Sequence, residues 1–191
     1  PEPTPTGALW SDVLAWAKAS LFPSRGRAIV FGTVHLGVDL SRLDVGDTEY
    51  GSPFLLNLRG KRLLVVGASG AGKSSLLWNP LRAAGPMIRD RMLRLWVIDL
   101  KGGTETDRGE PLFHRWATTL DDAIDLLTEF RDSMLQRQQW MRASKVRRCD
   151  ISTETPYELL MIDELAMLTA YGDRSSVRDA LRLLAEVLTQ G

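Results

Sequence analysis

The sequence predicts an α/β fold: a mostly parallel sheet covered by helices on both faces, preceded by a small strand pair and an N-terminal helix. Three observations carry this reading. Short apolar runs at 62–66, 93–100 and 159–163 have the length and composition of buried parallel strands. A helical apolar period follows each of them. A glycine-rich turn joins the first run to its helix, "VVGASGAGKSS" from Val65 to Ser75. Strand and helix in alternation give a parallel sheet, whose ligands sit beyond the carboxyl ends of the strands. The phosphate-type turn and two acidic motifs all fall at such ends.

The elements follow in order. Pro1, Pro3 and Pro5 mark a linker, and an opening without methionine reads as the cut end of a longer protein. Residues 8–22 read as a helix with Leu9, Val13, Ala17 and Leu21 on one face, widened by Trp10, Leu14 and Trp16. That face packs on the domain or a neighbour, or lies on a membrane surface; its one Lys18 argues against strong lipid attraction. Pro23 and Gly26 break the helix, so 1–33 is expected to be a linker and helix, and 34–191 the main domain.

Val34, Leu36, Val38 and Leu40 alternate at strand period. A polar loop over 41–52 leads to a second alternating run, Phe54, Leu56 and Leu58. After the strand at 62–66 comes a helix over 73–82, halted near Gly85 and Pro86. The strand at 93–100 ends in "VIDLKGG". A long helix starts after Thr119, an N-cap with Asp121 and Asp122 in the first turn. Its stripe is Ala123, Leu127, Phe130, Met134 and Met141, about 37 Å of helix at 1.5 Å per residue. The strand at 159–163 is followed by a last helix marked by Val177, Leu181, Leu184 and Leu188.

Composition narrows the function. The 44% apolar and 25% charged content is that of an ordinary soluble globular domain. Lys and Arg total 24, as do Asp and Glu, so no global basic field marks a DNA-coating protein. A motor that grips DNA with a few loops stays open. The single Cys149 forms no internal disulfide, which fits a reducing compartment. The sequence contains no apolar run of about 18 residues, the length that spans a bilayer. His35 and His114 lack metal-ligand spacing.

The chemistry resides at the strand ends. Gly67, Gly70 and Gly72 let the backbone bend until successive N–H groups face phosphate oxygens, and the helix beginning near Lys73 adds its positive dipole end. The binding stretch is Gly67, Ala68, Ser69, Gly70, Ala71, Gly72, Lys73, Ser74 and Ser75. Lys73 is expected to reach the outer phosphates of ATP and the Ser74 hydroxyl to bind Mg²⁺. In "LLMIDE", Asp163 emerges at a strand end to hold the Mg²⁺ water shell. Glu164 is expected to orient and deprotonate the attacking water; the alternative is a surface carboxylate at a helix start.

Asp99 also ends a buried strand but lacks a neighbouring carboxylate. It is second to Asp163 for the metal, either paired with Lys101 or near the hydrolytic water, or else purely structural. Arg137, Arg142, Lys145, Arg147 and Arg148 form a local basic cluster, read as a solvated helix end or as a contact to a phosphate backbone.

"HLGVDL", "LLNLRGKRLLVVGASGAGKSS", "LRLWVIDLKGG" and "LLMIDELAMLTAY" occur in an order that resembles the FtsK/SpoIIIE DNA translocases. Their actinobacterial plasmid-transfer branch is the nearest in look. The resemblance covers His35 to Gly191, and "DLKGG" with "IDELA" is its specific part. It implies a RecA-like P-loop motor that hydrolyses ATP, assembles as a hexamer and passes double-stranded DNA through the ring, for chromosome segregation or conjugation. It makes residues 67–74 Walker A and Asp163 with Glu164 Walker B. It also implies a cytoplasmic domain of a membrane-anchored protein whose anchor lies upstream, and a further sensor strand beyond Gly191, so the chain reads as a fragment lacking its C-terminal part. The alternative is the ATPase of a type VII (ESX-like) protein secretion system, against which "DLKGG" weighs. A non-hydrolysing nucleotide-binding module and a small-molecule kinase are more distant.

Overall fold

The structure, a computed structural model, describes residues 38–68, 70–170 and 172–191. The expected N-terminal helix, Val34, Leu36 and Ser69 lie outside the described residues. The chain divides into two compact units, the first ending at Pro86 and the second beginning at Met87.

In the first unit, β1 (Leu43–Asp47) pairs antiparallel with β2 (Pro53–Leu56), Leu43 opposite Leu56. The expected strand pair is present, but its first strand lies inside the stretch read as a polar loop. Val38 and Asp39 are not in a strand and Leu40 is in a turn. Leu43 and Val45 are buried on one face of β1 while Asp44 and Asp47 face water, so the strand's period is carried by few residues and interrupted by charge. Gly46 has φ +148° where the register shifts. Helix α1 (Lys73–Ala83) packs on β1, and Asn79 Nδ2 donates to the Val45 carbonyl at 2.8 Å.

The apolar run at 62–66 differs from expectation. It has no regular secondary structure and joins no ladder, and Leu63, Leu64 and Val66 are 50%, 72% and 84% exposed. Apolar composition supplies burial only where a neighbouring strand takes the N–H and C=O groups. Among the described residues, no strand does so for this run. Helix α2 (Gly85–Arg89) begins where the sequence suggested only a stop, with Pro86 in its first turn.

The second unit is a three-stranded parallel sheet in the order β4–β3–β5. β3 (Leu93–Ile98) is central, β4 (Arg115–Ala117) lies on one side and β5 (Tyr157–Ile162) on the other. Leu95, Trp96, Val97 and Ile98 are all buried, which is why the run shows no alternation. The three-residue β4 had no sequence signal. It is reached through a short 3₁₀ helix (Asp107–Leu112).

Helix α3 (Leu120–Ala143) starts as expected. Thr119 Oγ1 accepts the Asp122 backbone N–H at 3.2 Å. Ala123, Leu126, Leu127 and Phe130 bury themselves against Trp96, Ile98 and Ala117. Helices α4 (Leu165–Ala170) and α5 (Arg174–Gln190) complete this layer. Asp173 caps α5, accepting from Ser175 and Ser176, whose hydroxyls and N–H groups hold its carboxyl well below the usual carboxylate range. The buried face of α5 is Ala180, Leu183, Leu184 and Val187, whereas Leu181 and Leu188 are exposed. The expected stripe was therefore off by about one position.

Glu158 ties the amino ends of the strands together. Trp96 Nε1 donates to its Oε2, and Arg94 and Arg137 each approach Oε1 at 3.4 Å. Arg137 also donates to the Pro156 carbonyl at 2.6 Å. It thus leaves the basic cluster, because a buried carboxylate outcompetes solvent for it. Arg142, Lys145, Arg147 and Arg148 remain exposed, and the first three line a surface cleft with Gln138, Met141 and Val146.

The two faces of the helical layer give a direct test. Leu127→Ala is expected to cost about 2–5 kcal/mol in urea unfolding, as for a filled core site. Leu181→Ala should stay within about 0.5 kcal/mol, as for an ordinary surface change. Equal losses would show that α5 buries the face first read from the sequence.

Candidate functional site

The glycine-rich turn has the backbone its residues suggest. Gly70 and Gly72 take φ +78° and +86°, a region that costs a residue with Cβ about 1–2 kcal/mol. Gly72 is the N-cap of α1 and gives no side-chain cap, so the first N–H groups of the helix are not consumed by one. Lys73 folds back over the turn, its Nζ donating to the Gly67 and Ala68 carbonyls at 2.8 Å each. Ser74 and Ser75 occupy the first turn of α1. These features fit a phosphate group: uncapped N–H donors, a left-handed cap and an ammonium held by neutral acceptors only.

The second unit brings the two acidic motifs together. Asp163 follows β5 and Glu164 precedes α4, with Asp163 N–H donating to the Ile98 carbonyl at 3.0 Å. The Asp163 side chain is 10% exposed and its Oδ2 is buried without a hydrogen-bond partner. Burial pushes this carboxyl up, with Asp99 and Glu105 adding to the rise and Lys101 opposing it. A carboxylate oxygen shielded from solvent and left without a donor suits a hydrated divalent cation. The Asp163 position therefore fits Mg²⁺. Among the described residues no group of three or more His, Cys, Asp or Glu could hold a metal ion.

Asp99 proves to be a loop anchor. Its carboxylate is fully buried; Oδ1 accepts the Lys101 backbone N–H at 3.0 Å and Oδ2 accepts the Thr106 hydroxyl at 2.9 Å. Trp116 Nε1 donates in turn to Thr106 Oγ1 at 3.0 Å. Gly103, at φ +75°, lies beneath the Trp116 ring, where an added Cβ would come within 2.4 Å of Cζ2. Asp99 thus meets the backbone of Lys101, while the Lys101 ammonium turns to the acid pair, 3.2 Å from Glu164 Oε2 and 3.6 Å from Asp163 Oδ2.

Sequence reasoning placed Asp163, Glu164 and Asp99 at neighbouring strand ends but missed Thr106, Trp116 and the direction of Lys101. The available signal was the buried Asp99 itself, which requires local donors. Thr106 lies in a polar, aperiodic stretch that offers no pattern.

Two outcomes are expected. Gly103→Ala should destabilise by about 2 kcal/mol or more, adding a clash with Trp116 to the left-handed cost, whereas Gly102→Ala pays only about 1–2 kcal/mol. Urea unfolding that ranks them the other way removes the packing role of Gly103. For Asp163, a raised folded pKa means that stability is lost as pH rises through that pKa. Asp163→Asn should therefore melt higher than wild type at pH 7 without metal, and the gap should close as pH falls below the ordinary carboxylate range. A lower melting point at pH 7 would show that the ion pair with Lys101 outweighs burial.

Comparison with known proteins follows from this geometry. Among individually curated proteins, none matches the chain in sequence. In structure it is similar to the pCW3 conjugation coupling protein TcpA, monomer form with ATPγS, with a TM-score of 0.65 at 18% identity. The match covers 95% of this chain and 59% of that one, so the chain spans well under two thirds of its structural neighbour. That likeness shows a shared α/β fold. By sequence, the FtsK/SpoIIIE family matches over residues 34–188, most of the chain. The chain belongs to the FtsK/SpoIIIE family.

Proposed function

We propose that this chain is the ATP-hydrolysing motor domain of an FtsK/SpoIIIE-type translocase that moves double-stranded DNA, in conjugative plasmid transfer or chromosome segregation. The observation that carries the reading is the family match over residues 34–188. The family's members are P-loop ATPases. The similarity to a conjugation coupling protein solved with ATPγS supports nucleotide binding and favours conjugation. The comparisons give the secretion alternative no support.

In this reading the backbone N–H groups of residues 67–72 and the start of α1 hold the phosphates of ATP. Lys73 exchanges two neutral carbonyls for anionic oxygens, and charge-assisted hydrogen bonds are about twice as strong as neutral ones. Ser74 and Asp163 hold Mg²⁺, Asp163 through its water shell, and Ser75 bonds locally or meets the inner phosphates. When bound, Mg²⁺ neutralises charge on the phosphates. Glu164 accepts the proton of the water whose oxygen attacks the terminal phosphorus, as the bond to ADP breaks. Its carboxylate, 37% exposed, is accessible to that water. We place the domain in the cytoplasm, in a hexameric ring, joined to a membrane only through an upstream segment. Among the described residues no helix is long and apolar enough to cross a membrane.

The test is steady-state ATPase activity of the full-length protein with and without linear duplex DNA. Strong stimulation by DNA is expected; robust activity indifferent to DNA would turn the reading toward a protein cargo. Lys73→Ala should abolish ATP binding by calorimetry. Glu164→Gln should bind ATP and lose about 10²- to 10⁴-fold in turnover, the usual contribution of a general base. Wild-type turnover in that variant would place the base elsewhere.

A further inference from the structure

We propose that Lys101 is a positioning residue that serves as the built-in counter-ion of the acid pair, holding Asp163 and Glu164 until a divalent cation displaces its ammonium from Asp163. The inference deepens the nucleotide-site reading and rests on it.

Three observations carry it. The Lys101 Nζ lies 3.2 Å from Glu164 Oε2 and 3.6 Å from Asp163 Oδ2, so one ammonium serves both carboxylates. Its contact with the buried Asp163 Oδ2 is the longer and weaker of the two, at 3.6 Å. Lys101 is also aimed by its own backbone. Its N–H is fixed on Asp99, within the loop that Thr106, Gly103 and Trp116 close. Chain and side chain thus have separate partners: the backbone anchors the loop and the ammonium stays free to leave.

The consequence is competition. Two adjacent carboxylates without a counter-ion repel each other. An ammonium relieves that repulsion in the metal-free protein. A divalent cation carries twice the charge and wins when phosphates complete its ligand set. Lys101 then retains Glu164, the nearer partner at 3.2 Å, and keeps that carboxylate oriented.

The experiment measures ATPγS binding by calorimetry, with Mg²⁺ and with EDTA, for the wild-type protein, Lys101→Met and Lys101→Arg. Methionine keeps the backbone N–H bonded to Asp99 and the apolar stem, and the 44% exposure of the side chain makes the fold tolerant; thermal melting verifies this. Loss of the competitor should raise the Mg²⁺-dependent gain in affinity about two- to five-fold, the scale of an exposed ion pair, with EDTA values unchanged. Lys101→Arg should restore the wild-type ratio. An unchanged or smaller ratio in Lys101→Met overturns the proposal, as does an equal change with EDTA, which would mark a structural role. If wild type binds ATPγS in neither condition, the nucleotide reading itself falls, and the proposal with it.

Discussion

The buried carboxylate of Asp99 is the constraint on which the candidate site depends. A carboxylate removed from water costs several kcal/mol unless its oxygens are bonded. Both are, by the Lys101 N–H and the Thr106 hydroxyl, and neither donor is a charged group. The chain after β3 must therefore curl back within a few residues. That curl sets Gly102 and Gly103 at φ +75° and draws Thr106 under Trp116. Because Asp99 takes the lysine's backbone, the lysine's charge is left for the next strand end. One buried anion thus sets the loop and, through it, the electrostatics beside Asp163.

The sheet is charged at both ends and apolar between them. At the amino ends Glu158 gathers Trp96, Arg94, Ser133 and Arg137, so its acceptor capacity is well used. At the carboxyl ends Asp163 has one buried oxygen whose contact with the Lys101 ammonium, at 3.6 Å, is longer than a hydrogen bond. The same residue class, at the start of β5 and just past its end, is thus treated in opposite ways. A saturated buried carboxylate fixes structure, and an unsaturated one is unstable until something binds it. This contrast argues for reading Asp163 as a ligand position and Glu158 as a brace.

How far these features were legible in the sequence depended on range. Helix α3 was readable because Thr119, Asp122 and the apolar period are all local signals. β3 was readable because burial on both faces erases alternation. The run at 62–66 has the same composition, yet it forms no strand among the described residues, since a strand needs a partner that its own residues do not specify. On α5 the leucines read as one stripe, but the buried face runs through Ala180, Leu183, Leu184 and Val187 and leaves Leu181 and Leu188 exposed. The acid pair was legible from type and position. The route of Lys101 was not, because Asp99 offers an equally good anion two residues away, and the choice between them rests on a threonine seven residues along the loop.

Lys73 and Lys101 share a physical situation. Each is a cation poised beside the position where anions or metal would bind, and each already holds local acceptors, the carbonyls of Gly67 and Ala68 for one and two carboxylates for the other. Nucleotide and metal binding are then exchanges, and their affinity is the difference between the bonds made and the bonds surrendered. The two exchanges differ in sign. Lys73 trades neutral acceptors for charged ones and gains, which favours phosphate binding. Lys101 gives up one carboxylate of two and loses, which makes metal occupancy at Asp163 conditional on what else binds that metal. On the proposed reading, the acid pair of the second unit resists a divalent cation alone and accepts it with phosphates.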